Sequence, residues 1–107
     1  QREVKEKPVY AVAAAVQLPH VSDIEFESSL AEFALAKTLG FTVVHTFIQK
    51  RAGFDTTAYL GIGKRQEIQH YVEYEAGCEI EAILVDHEIS PSQARNLEKD
   101  VGCGVMD

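Results

Sequence analysis

Tryptophan is absent from this chain, methionine occurs once, and only three prolines and two cysteines are present. No apolar run approaches the roughly 20 residues that span a bilayer. The longest, from Val9 to Leu18, is about half of that and reads as a buried strand. No charged start, apolar core and small-residue cleavage site follow one another, so no signal peptide is read. A chain that opens on Gln1 rather than Met is expected to be an excised piece, which makes missing targeting signals weak evidence about the parent. Basic residues are scarce too: ten Lys and Arg against seventeen Asp and Glu give a net charge of −7. That argues against broad nonspecific binding to nucleic acid, which needs a basic face, and leaves room only for a local patch. Cys78 and Cys103 have no metal-type spacing and are expected to be reduced, buried, structural thiols.

What is present suits one compact domain: 107 residues, 46% hydrophobic and 25% charged. Residues 1–8 are expected to be a flexible lead-in and 9–107 a single domain. Val9–Leu18 is continuously apolar, as a central strand covered on both faces should be. Ser22 and Glu25 have capping-box spacing, and Phe26, Leu30, Phe33 and Ala34 then form one helical stripe, with Glu25, Ser28, Ser29 and Glu32 opposite. Gly40 stops that helix, and Phe41–Gln49 reads as the second strand. Lys50–Ala58 is a loop. Lys64–Ala76 is a second helix with Ile68, Tyr71, Val72 and Ala76 on its inner face, and Ile80–Val85 is a third strand. Ser90-Pro91 starts a third helix, whose buried face is Ala94, Leu97 and Val101, and Gly104 opens a fourth strand. Helices that each lead through glycine into a strand give the βαβ rhythm of an α/β fold. The expectation is a small open parallel sheet of about four strands, ordered 2-1-3-4, with helices packed on it.

In such sheets ligands gather beyond the carboxyl ends of the strands. Pro19-His20, Lys50-Arg51 and Asp86-His87-Glu88 should all emerge there, with the stretch Tyr59-Leu60-Gly61-Ile62-Gly63-Lys64-Arg65. Two glycines before a helix starting at Lys64 would expose backbone amides at the positive end of the helix dipole, a seat for phosphate. Gly61, Gly63, Lys64, Arg65, Lys50 and Arg51 are therefore candidates for binding a phosphate or an RNA backbone. The alternative is that Gly61 and Gly63 merely permit a tight turn. A P-loop is excluded, because its first glycine would fall on Ala58 and its magnesium-binding hydroxyl on Arg65. Asp86-His87-Glu88 has no second cluster to complete a metal shell, and Glu88 and Ser90 are better read as serving the next helix's amino end. No nucleophilic triad is evident.

The stretch Tyr59-Leu60-Gly61-Ile62-Gly63-Lys64, with Glu67, and the block Asp86-His87-Glu88-Ile89-Ser90-Pro91-Ser92-Gln93-Ala94-Arg95-Asn96-Leu97-Glu98 resemble the amino-terminal domain of HflX-type GTPases. The second block is the more specific, and the resemblance runs from about Val9 to Asp107. It implies a non-catalytic domain of a cytoplasmic, GTP-hydrolysing protein that works on the large ribosomal subunit. GTP and Mg2+ would belong to a GTPase domain beyond Asp107, and this piece would hold no cofactor. The implied partners are the rRNA of the large subunit and the protein's own GTPase domain. Glu88, Ser92, Gln93, Arg95 and Asn96 become candidates for contact with RNA or a partner domain. The alternative, from another class, is a module that itself binds or hydrolyses ATP or GTP through the Gly61–Arg65 loop.

Overall fold

The alanine-rich run becomes the strand on which everything else is registered. In the computed structural model, which describes residues 7–107, strand β1 (Tyr10–Gln17) buries seven of its eight residues. It pairs in parallel with β2 (Thr42–Lys50) on one side and β3 (Ile80–Val85) on the other, and β3 pairs in parallel with β4 (Gly104–Met106). The order β2-β1-β3-β4 is the one expected. Most of the proposed lead-in lies outside the described residues.

The first and third helices start through local side-chain chemistry. Ser22 Oγ accepts the Glu25 amide, and Glu25 reaches back to the Ser22 amide, so helix α1 (Asp23–Lys37) carries the full capping box. Helix α3 (Pro91–Val101) repeats it with Ser90 and Gln93, has proline in its first turn, and ends on Gly102 in the left-handed conformation that glycine adopts freely. The helix expected from Lys64 begins earlier: α2 spans Ile62–His70, with Gly61 as its N-cap and Gly63 inside its first turn. Gly61 offers no capping side chain, so the sequence carries no start signal there. The segment then widens into a π-helical turn, Tyr71–Glu75, where the Ala76 amide donates to the Tyr71 carbonyl at 2.9 Å.

The two faces of the sheet are covered unequally. On one, α2, the π turn and α3 bury Ile68, Leu97 and Val101 against Val12, Ile83 and Val85. On the other, α1 alone sets Phe33 against Ala11, Ala13, Ala82 and Leu84. The inner stripe of α1 is narrower than its sequence suggested: Phe26 and Phe33 are buried, Leu30 is half-buried and Ala34 is exposed. Both cysteines are unpaired and only half-buried, packed on the rim of the larger core. Burial, with Glu98 nearby, pushes the Cys103 thiol up to about 11.

Candidate functional site at the carboxyl edge

Parallel pairing brings the carboxyl ends of β1, β2 and β3 to one edge, and that edge is tied together by polar side chains. The Gln17 side chain, 8% exposed, donates to the Val21 carbonyl at 3.1 Å and to Asp23 Oδ1 at 2.8 Å. The Arg51 amide donates to the Gln17 carbonyl at 3.1 Å. These bonds frame an open cleft of about 550 Å³ lined by Gln17, Leu18, Pro19, Ser22, Lys50 and Arg51. Lys50 and Arg51 form no ion pair with another described residue; they line this cleft together with the Asp23 carboxylate, and Arg51 Nε donates to the Gly53 carbonyl at 2.9 Å.

The glycine stretch is fixed by the loop before it. Asp55 Oδ1 accepts the amides of Thr57 and Ala58, each at 2.9 Å, which is an Asx-type turn. The Ala58 amide is the chief reason that the Asp55 carboxyl lies below its usual range, with the Thr57 amide and the Arg65 and Arg51 guanidiniums adding to it against partial desolvation. Asp55 and Tyr59 exchange both backbone hydrogen bonds at 2.9 Å. Tyr59 takes a φ of 72°, the one described non-glycine residue in the left-handed region. Such a conformation is costly for an aromatic residue and persists only when its surroundings fix it. Here they do. Tyr59 is fully buried, its hydroxyl donates to Asp86 at the end of β3, and His87 Nδ1 lies 3.2 Å from the same hydroxyl. Phe54 stacks on both the Tyr59 and His87 rings. Burial, then the Asp86 charge, drive the Tyr59 phenol far above its ordinary value.

The two glycines have different reasons to be there. The Gly61 amide donates to Gln49 Oε1 at 2.9 Å, and a Cβ on Gly61 would collide with Arg51 Nη1. Gly61 is thus the floor on which the Arg51 guanidinium rests, over the amino end of α2. A Cβ on Gly63 would meet nothing within 4 Å.

Of the six phosphate or RNA candidates, the edge gathers Gly61, Lys50 and Arg51. Gly63 lies one residue into the helix. Lys64 is paired with Glu67 at 3.0 Å, and Arg65 with Asp100 of α3, its side chain only 11% exposed. Arg65 Nε is buried without a partner. Among the partner-contact candidates, Gln93 donates to the Asp55 carbonyl at 3.0 Å and Asn96 to the Thr57 carbonyl at 2.9 Å, so α3 holds the loop in place. Ser92 approaches Ser90 Oγ at 3.4 Å. Arg95 is exposed and forms no ion pair with a described residue, neither with Glu98 nor with Glu88. The amino end of α3 is served by Ser90, Gln93 and Asp107, whose carboxylate accepts the Ile89 amide at 3.1 Å, while Glu88 takes no such bond. That corrects the capping role read for Glu88: its side chain is exposed, whereas the Asp107 carboxylate already occupies the Ile89 amide.

Sequence reasoning missed Gln49 and the conformation of Tyr59. Asp55, turn-prone by its residue type, does form the turn of its loop. Gln49 gave no signal, because its partner is twelve residues away. No group of three or more His, Cys, Asp or Glu among the described residues is placed to hold a metal ion, and none of the described helices is long and apolar enough to cross a membrane.

Residues 27–107 match the family model described as "GTP-binding GTPase N-terminal". The chain is similar to the GTPase HflX of Gluconacetobacter diazotrophicus, 37% identical over 139 aligned positions, covering 98% of this chain and 31% of that protein. It is similar also to the GTPase HflX of Alkalihalophilus pseudofirmus, 35% identical over 99% of this chain and 25% of that protein. A third, from Caldanaerobacter subterraneus, is 31% identical over 87% of this chain and 21% of its own length. The chain therefore spans less than a third of the curated relatives it matches. With the parallel α/β sheet and the glycine stretch of Tyr59–Lys64 in place, the chain belongs to the GTP-binding GTPase N-terminal family, as an amino-terminal domain of the HflX type.

Proposed function

We propose that this chain is a non-catalytic domain of a cytoplasmic HflX-like GTP-binding protein, one that contacts rRNA of the large ribosomal subunit and positions a GTPase domain in the same polypeptide. GTP and Mg2+ would be held by that other domain. The observation that carries the reading is the state of the four basic side chains around the glycine loop. Lys64 and Arg65 are each paired with a carboxylate, whereas Lys50 and Arg51 form no ion pair with a described residue and are open to an external anion, Arg51 lying over the amino end of α2. A nucleotide loop would need the reverse, a lysine free to reach phosphate and a hydroxyl for magnesium, and positions 58 and 65 are Ala58 and Arg65. This weighs against the chain's being a nucleotide-hydrolysing module.

The test is co-sedimentation of the chain with large subunits at two salt concentrations, beside a Lys50→Ala/Arg51→Ala double variant. Binding that weakens with salt and falls about tenfold in the variant is expected, since each phosphate contact released shows in the salt dependence. Binding unchanged by the double substitution would move the contact elsewhere. Multiple-turnover GTP hydrolysis by the chain alone, lost in Lys64→Ala, would overturn the non-catalytic reading.

A further inference from the structure

Helix α1 has two apolar faces, and only one is used. Phe26 and Phe33 point into the sheet. At about 100° per residue, Ile24, Ser28, Ala31 and Leu35 fall on one line diametrically opposite, at i, i+4, i+7 and i+11. All four are exposed, Ile24 at 79% and Leu35 at 78%, and Leu39 just beyond the helix at 81%. Large side chains at both ends of a stripe with Ser28 and Ala31 between them form the seam that a second helix fits, because the small residues let the two backbones approach. Singly scattered apolar residues on a surface need no explanation, but Ile24 and Leu35 at helical register opposite the buried phenylalanines do.

The flanks of the stripe say what covers it. Glu25, Glu27 and Glu32 flank it, Asp23 being turned toward Gln17, and Lys37 is the only basic residue of α1. A second copy of the chain would set these carboxylates against one another, and an RNA backbone would meet acidic charge on an apolar floor. Both are disfavoured by like-charge repulsion. The complement is an amphipathic helix with an apolar stripe flanked by Lys and Arg.

We infer that the outer face of α1 is the docking seam for a basic-flanked amphipathic helix supplied by another part of the same HflX-type polypeptide. The inference rests on the reading that this chain positions a neighbouring part of its own protein, and it names the surface used. Relatives three to five times longer than the segment matched here have ample chain to supply such a helix. The stripe residues Ile24, Ser28, Ala31 and Leu35 are distinct from Lys50 and Arg51, whose cleft the first turn of α1 borders at Asp23, so domain docking and ribosome contact use separate side chains.

Hydrogen exchange on the full-length protein tests it. The Asp23–Lys37 amides are expected to exchange about tenfold faster in Leu35→Glu than in wild type, with a second segment outside residues 1–107 losing protection together with them. Glu32→Lys should act in the same direction, and Ala36→Glu, exposed but off the stripe, should change little. Because Leu35 is exposed, an unchanged melting profile of the rest of the domain separates lost docking from misfolding. Equal exchange of α1 in wild type and Leu35→Glu overturns the inference. So does a difference that grows with protein concentration, which signals a second copy, or one that needs added large subunits, which signals an outside partner. Co-sedimentation is read in the same variants. If α1 is unresponsive while ribosome binding persists, the seam alone is lost; if binding fails while α1 responds, only the ribosomal part of the proposed function falls.

Discussion

The two faces of this sheet differ in how completely they are finished. Thirteen described residues are buried in the core on the α2–α3 side, against five on the α1 side. The richer core also contains Ala58, Tyr59 and Leu60, all fully buried, so the glycine loop is part of the interior rather than an appendage. On the poorer side an open apolar groove of about 440 Å³ runs between α1 and β2, past Leu30, Val43 and Ile48. The α2–α3 face holds the glycine loop in place, and the α1 face leaves apolar side chains open along its groove. The difference follows from topology. The crossover from β1 to β2 and those from β2 to β3 and β3 to β4 run in opposite directions across the sheet, and right-handedness then puts one helix on one face and two on the other.

The largest effect that can sharpen this contrast is a cavity in the richer core. Leu97→Ala, at a fully buried position, is expected to cost about 3–4 kcal/mol in denaturant unfolding. Phe33→Ala removes a larger side chain from the poorer side, yet it borders the groove, where solvent and neighbours can fill the space. A cost of about 2–3 kcal/mol is expected there, below the usual range for phenylalanine. If Phe33→Ala cost clearly more than Leu97→Ala, the α1 side would have to be regarded as a finished core.

The Tyr59 network gives the next effect and a pH signature. Tyr59→Phe keeps the ring and removes the hydroxyl from Asp86, whose side chain is only 8% exposed, so a loss of about 1–2 kcal/mol is expected near neutral pH. The sign of the pH dependence follows from the raised phenol. In the unfolded chain this tyrosine ionises near its ordinary 10, while in the fold it stays protonated. Its contribution is therefore complete below pH 10 and declines above it as the unfolded state alone gives up the proton, by at most about 1.4 kcal/mol per pH unit. The stability of Tyr59→Phe should fall less steeply above pH 10 than that of the wild type, and parallel alkaline limbs would refute the burial of that proton.

Much of the fold was legible because its signals are local. The capping box at Ser22, the Ser90-Pro91 helix start, the stop at Gly102 and the apolar run of β1 each involve residues within a few positions of one another. The helix starting at Lys64 was misplaced because its real cap, Gly61, works through backbone geometry and leaves no side-chain mark. The site was less legible for a related reason. Its ties join residues far apart in sequence, Gly61 to Gln49, Arg65 to Asp100 and Asn96 to Thr57, and no spacing rule announces them. Lys64 and Arg65 looked like free cations in the sequence; Lys64 pairs locally with Glu67 one helical turn on, whereas only packing reveals Asp100 beside Arg65. Gln93 and Asn96, which looked like partner contacts, hold the loop from behind.

The smallest effect separates the two glycines, and with them the fixed loop from the helix it opens. Gly63 lies in the first turn of α2 with open space around its missing Cβ and without a positive φ. Gly63→Ala should therefore stabilise the domain by about 0.5–1 kcal/mol, by restricting the unfolded chain and favouring the helix. Gly61→Ala gains the same chain restriction, but its methyl displaces the end of the Arg51 side chain and lies tight against Gln49 Nε2, at 3.1 Å. A flexible guanidinium can swing aside at little cost in stability, so the two alanine variants should differ by less than about 1 kcal/mol. They should differ far more in anion binding. If Arg51 acts from its seat above the amino end of α2, Gly61→Ala weakens salt-sensitive co-sedimentation while Gly63→Ala leaves it intact. Equal binding by both variants would mean that Arg51 needs no seat, and that Gly61 serves only the turn into the helix.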